Sequence, residues 1–205
     1  AAANGEGETA PQPTPADSRR ALIIHADDAG LCRSVNRATI DAMEQGIVSS
    51  ASIMVPCPGF EEFAQYAGEH PEKDFGIHLT LNSEFDRFPW VPVSPASEVP
   101  GLVDQSGRLW PEPEQTAANA RADEVERELT AQIEKALDRG VKITHLDTHM
   151  GALLRRPDFL EVYVNLGIRY DVPILFVRDP RLLTGVPPYD GFAEAADGVV
   201  RSLAE

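Results

Sequence analysis

Five short apolar runs recur along the 205-residue chain: "ALIIHA", "IVSSASIMV", "FGIHLTL", "VKITHLD" and "VPILFV". Several of the segments between them carry helical periodicity. This alternation constrains the fold more than any other feature, because strand–helix–strand repeats pair in parallel through right-handed crossovers. The result is an α/β architecture, either a doubly wound sheet or a barrel. Five strands cannot close a (β/α) barrel, so the barrel alternative is an open or incomplete one. Three helices hand over to strands through a Gly followed by a β-branched residue, in "EQGIV", "DRGVK" and "NLGIR". Glycine just past a helix end adopts the left-handed conformation at little cost, so each reads as a helix stop.

The clearest helix is "ADEVERELTAQIEKALDRG", with Val125, Leu129, Ile133, Ala136 and Leu137 on one face. Asp123 followed by Glu126 resembles a capping pair at its start. Residues 1–18, "AAANGEGETAPQPTPADS", lack apolar periodicity and read as a disordered leader, leaving 19–205 as one domain. Such a leader follows a cleaved export signal in many secreted proteins, so the sequence leans toward export, although no signal segment is present to show it. No apolar run approaches the roughly 20 residues that span a bilayer.

The 33 acidic and 18 basic side chains give a net charge of −15, which repels phosphate backbones and anionic lipid surfaces. Nucleic acid and membranes are therefore excluded as expected partners, while a homodimer is compatible with the composition. Cys32 and Cys57 are too few for a disulfide framework and lack zinc-knuckle spacing.

In parallel α/β folds the ligand site forms at the carboxyl ends of the strands. Here the first strand ends in Asp27-Asp28, the third carries His78, and the fourth ends in "HLDTH" with His145, Asp147 and His149. Strict alternation puts Val141, Ile143, His145, Asp147 and His149 on one face. A lone Asp-Asp pair is often a turn, and a lone His is usually a hydrogen-bonded bystander. Their joint appearance on the first, third and fourth strands instead points to a divalent metal held by Asp28, His78 and His149. The neighbouring Asp27 would then face metal-bound water as a base. His70, in "GEHPEK", has no such context and reads as solvated.

These residues resemble the YdjC-like carbohydrate deacetylases, a branch related to the NodB-type polysaccharide deacetylases. "HADDAGLCRSVNRATIDAMEQGIVSSASIMV" is similar to the family's Asp-Asp-x-Gly-Leu block and the strand that follows it. "GIHLTL" is similar to its His-Leu-x-Leu block, and "THLDTH" to its Thr-His-x-Asp-(Ser/Thr)-His block. The resemblance spans about residues 22–178. It implies a deformed (β/α) barrel of the glycoside hydrolase/deacetylase type, incomplete at the C-terminal side of this sequence. It further implies one zinc or magnesium ion on Asp28, His78 and His149, with Asp27 as catalytic base and Arg178 of "FVRDP" as its orienting partner. The implied reaction is removal of N-acetyl groups from amino sugars or short oligosaccharides by metal-bound water.

Asp147 is expected to hydrogen-bond a ligand imidazole, and His145 to buttress the site. Phe85, Phe88, Trp90 and Trp110, in the Pro- and aromatic-rich segment 82–118, are candidates for stacking on sugar rings. Two features depart from the family pattern. The fourth block continues as "HMGALLRRPD" rather than with further histidines, and the His-Pro segment that supplies the family's proton donor has no counterpart here. A metal- and glycan-binding relative without turnover is therefore the alternative. A phosphoacceptor receiver fails for want of an Asp after strand three and a Lys after strand five. A phosphoesterase lacks a basic cluster for phosphate.

Overall fold

The computed structural model describes residues 22–176. The leader and Arg178 lie outside the described residues. Four parallel strands form one sheet in sequence order: β1 (His25–Ala29), β2 (Ser50–Ile53), β3 (Asp74–Leu79) and β4 (Ile143–Thr148). Each crossover advances by one strand in the same direction, so right-handed connections leave the helices on one face. Among the described residues that order fits the winding of a (β/α) barrel, since the order of a doubly wound sheet reverses. The last apolar run continues the arc, with Ile174 bridging in parallel to Leu146.

The helices are α1 (Arg33–Gln45), α2 (Phe60–Glu69), α3 (Pro113–Asn119), α4 (Ala122–Asp138) and α5 (Pro157–Tyr170). The core lies between helices and sheet, where Phe63, Phe75, Ile53, Ile77, Leu129 and Ile133 are buried. The other face of the sheet carries His25, Ser50, Ser52, His78, His145 and Asp147. No described helix is long and apolar enough to cross a membrane.

Several local expectations change. Leu22, Ile23 and Ile47, in the apolar runs, are exposed rather than strand core. Helix α4 is closed at its start by Glu124, whose carboxylate accepts from the Arg121 backbone N–H, and not by the Asp123–Glu126 pair. Leu137 on its expected apolar face is largely exposed. The "DRGVK" stop holds, with Gly140 at φ +79°. Gly167, by contrast, lies inside α5, where a Cβ would stand 2.6 Å from Ile174 Cγ2. It is there so that the fifth apolar run can pack against the helix, while Asp171 takes the left-handed position at the helix end. His70 is not free in solvent; it stacks on Tyr66 and bonds the Tyr66 carbonyl as α2 ends. Cys32 and Cys57 are both free, and burial pushes the Cys57 thiol pKa far up.

Segment 82–118 is ordered by an inward polar stripe of α4. Glu128 accepts from the backbone N–H groups of Val93 and Ser94 at 2.8 Å each, and Glu124 accepts from Gly101 N–H at 3.0 Å. Gln132 brackets Thr80 by bonding both its N–H and its carbonyl. The long loop is thus fastened, through the helix that follows it, beside the carboxyl end of β3.

Candidate metal centre

Two β-bulges shape the site. On β1, Ala26 pairs with Ala51 and Ala29 with Ile53, so both Asp27 and Asp28 stand opposite the single residue Ser52. A two-against-one bulge of this kind re-aims side chains. It explains why two adjacent carboxylates serve one site instead of pointing to opposite faces. The bulge sets Asp28 at φ +62°, a conformation that Asp tolerates better than most residues. On β4, Phe75 pairs with Ile143 and Ile77 with Leu146, so Thr144 and His145 stand opposite Gly76. The strict alternation expected for this strand is therefore broken. Ile143 packs against the core while His145 and Asp147 face the other side. His149 lies just past the strand, at the head of a short 3-10 turn with left-handed Met150 and Gly151.

The three expected ligands converge. Asp28 Oδ1 lies 3.4 Å from His78 Nε2 and 3.2 Å from His149 Nδ1. The two imidazoles meet edge to face at 5.1 Å between centroids. Donor atoms 2.0–2.2 Å from a tetrahedral ion stand about 3.4 Å apart, so these separations fit a zinc-sized cation. Asp28 Oδ1 is also buried without a hydrogen-bond partner among the described residues. A buried carboxylate oxygen facing two imidazole nitrogens is the environment a cation satisfies.

Each imidazole is backed by its own carboxylate. His78 Nδ1 donates to Asp147 Oδ1 at 2.6 Å, leaving Nε2 to face Asp28. His149 Nε2 contacts both oxygens of Glu84 at 3.1–3.2 Å, leaving Nδ1 to face Asp28. Such partners fix tautomer and ring orientation. Burial disfavours the His149 imidazolium, but Asp28 and Glu84 outweigh it and hold its pKa at about 9. Burial likewise works against the Asp28 carboxylate, yet His149 and His78 hold its pKa below the usual value. Asp147 is held well below the carboxylate range against burial by His78, His25 and Ser52.

Asp27 is more open, and its Oδ1 lies 3.4 Å from His25 Nε2. His25 also reaches Asp147 Oδ2 at 3.3 Å and Ser52 Oγ at 3.2 Å, while its Nδ1 meets Ser50 Oγ at 2.6 Å. Hydrogen bonding to Asp147 raises the His25 pKa. His145 stands a layer below Asp28, His78 and His149; its Nδ1 faces Thr144 Oγ1 at 2.9 Å and Asp74 at 3.3 Å. Trp90 is 2% exposed and donates its indole N–H to the Asn82 carbonyl, so it walls the site behind His149 rather than offering a ring face. Trp110 is half-buried, with its N–H on the Gly101 carbonyl. The exposed aromatic surface of this loop belongs to Phe85 and Phe88.

His25, Ser52 and Glu84 were missed in the sequence. Glu84 follows the "HLTL" block by three residues but sits in an aperiodic loop, and His25 is hidden in an apolar run two residues before the Asp pair.

The family model described as YdjC-like protein matches residues 21–203. A carbohydrate deacetylase of Geobacillus stearothermophilus is 35% identical over 162 residues, covering 79% of this chain and 62% of the relative. A carbohydrate deacetylase of Thermus thermophilus is 39% identical over 170 residues, covering 83% and 58% respectively. A solved structure from Enterococcus faecalis V583, named for cellobiose-phosphate cleavage, superposes with a TM-score of 0.70. It is 27% identical and is matched over 86% of this chain and 64% of that one. The chain thus spans about three-fifths of the length of these curated relatives. With the family model matched across nearly all of the sequence and the Asp, His and His blocks meeting at one point, the chain belongs to the YdjC-like family.

Proposed function

We propose that the chain is a metal-dependent carbohydrate deacetylase acting on N-acetylated amino sugars or short oligosaccharides. The observation that carries this reading is the cradle of Asp28 Oδ1, His78 Nε2 and His149 Nδ1, with Asp147 and Glu84 behind the imidazoles. The relatives' name supports the substrate class.

A divalent ion, zinc or magnesium, held there would polarise the acetyl carbonyl and acidify an attacking water. The imidazole nitrogens favour zinc over magnesium, which prefers all-oxygen sites. The chain's own residues do the rest. Asp27, free of the ligand set and open to solvent, accepts the water's proton. His25 contacts its carboxylate, and Arg178, outside the described residues, is assigned as a second partner from the family resemblance. Asp147 and Glu84 keep the ligand imidazoles from rotating. Phe85 and Phe88 offer apolar surface to a sugar ring at the rim.

The test is acetate release from N-acetylglucosamine oligomers by chelator-treated protein with zinc or magnesium added back. Release that depends on the metal and disappears in Asp27→Asn, with metal still bound, supports the reading. Metal binding without release across an acetylated panel favours the binding-only alternative.

A further inference from the structure

Below the proposed centre, a second set of nitrogen and oxygen donors faces a cleft of about 610 Å³ bounded by the lower halves of the strands. His25, His145 and Asp147 each present a ligand atom, all within 4.8 Å of one another. Three observations set them apart from a chance grouping. His145 Nδ1 is turned toward Asp74 and Thr144, which directs the Nε2 lone pair inward, and Nε2 is buried without a partner among the described residues. An imidazole backed by a carboxylate on one nitrogen and vacant on the other is the arrangement of a metal ligand. Second, the ring lies across the backbone of β3, where a Cβ on Gly76 would stand 2.2 Å from Nε2, so glycine in mid-strand is what admits the imidazole. Third, His25 Nε2 stands 3.3 Å from Asp147 Oδ2, again close to the separation of two donors on one tetrahedral ion.

We propose that His25, His145 and Asp147 form a second site for a divalent transition-metal ion of the zinc class. Two imidazoles and one carboxylate suit zinc, copper or nickel better than magnesium or calcium. Asp147 links the two sites, since Oδ1 orients His78 while Oδ2 serves the lower ion. Filling the lower site would therefore fix the carboxylate that holds a ligand of the upper one.

The test is zinc stoichiometry by equilibrium dialysis and elemental analysis of tag-free protein, with cobalt absorption reporting tetrahedral coordination. Wild type is expected to hold two ions, and His145→Ala, Gly76→Ala and Asp28→Ala one each. His145 is partly exposed at the cleft edge, so its truncation spares the core if Gly76→Ala fails to fold. A wild type that binds one ion and loses it in Asp28→Ala overturns the lower site and leaves the upper intact. Two ions retained in His145→Ala also overturn it. A single ion lost in His145→Ala but kept in Asp28→Ala supports the lower site and removes the upper one.

Discussion

In the metal-free protein the raised His149 pKa sets a proton in competition with a metal ion for this imidazole. With the His149 pKa at about 9, that proton competes with any metal throughout the neutral range. At pH 7 the competition weakens apparent affinity by about two orders of magnitude relative to the deprotonated site, or about 3 kcal/mol. Binding at pH 7 therefore releases about one proton from His149. Apparent zinc affinity rises about tenfold per pH unit until pH approaches the His149 pKa.

The same pair sets the stability of the metal-free protein. A folded pKa raised above the ordinary 6.5 gives stability that is full below pH 6.5 and is lost as pH rises through 9. The size is about 3 kcal/mol, counting the His149 side of the contact with Asp28 and Glu84 only once. Calorimetry in buffers of different ionisation enthalpy measures the released proton, and chelator competition between pH 6 and 9 measures the slope. Glu84→Gln removes one of the two carboxylates that hold the imidazolium and is expected to move the end of the rise below pH 9. Affinity that is flat across this range, or binding without proton release, would refute the assignment of His149 Nδ1 as a ligand.

Three further outcomes are expected. Asp27→Asn keeps its metal and loses at least about 100-fold in turnover, the scale of a positioned general base, as read by acetate release beside elemental analysis. Asp147→Asn weakens zinc binding at the Asp28–His78–His149 site about 10- to 100-fold, because His78 loses the carboxylate that sets its tautomer. Glu128→Ala strands the buried Ser94 N–H and the part-buried Val93 N–H and destabilises the fold by about 3 kcal/mol in urea unfolding, with faster proteolysis within 82–118.

What the sequence disclosed and what it hid follow from how local each signal is. The convergence of Asp28, His78 and His149 was legible because parallel strands bring their carboxyl ends together, so ionisable residues on several apolar runs point to one place. The winding order was legible only down to two arrangements, a doubly wound sheet or a barrel, between which the family resemblance and not the residue pattern chose. The bulges at Asp27-Asp28 and Thr144-His145 were not, because they depend on pairing with a neighbouring strand and leave the local pattern unchanged. Helical periodicity marks only the apolar face of α4 and assigns no role to Glu128 and Gln132. Their inward orientation appears only once the 82–118 segment lies beneath them with unpaired backbone groups. Trp90 looked like a stacking platform by composition, but burial and its bond to Asn82 make it a wall.

The most direct measurement is an anomalous difference map, recorded at the zinc edge, from crystals of the protein grown with zinc. A peak within bonding distance of Asp28 Oδ1, His78 Nε2 and His149 Nδ1 is the predicted result. Zinc bound elsewhere, with these three side chains retaining their direct contacts, would contradict the central assignment.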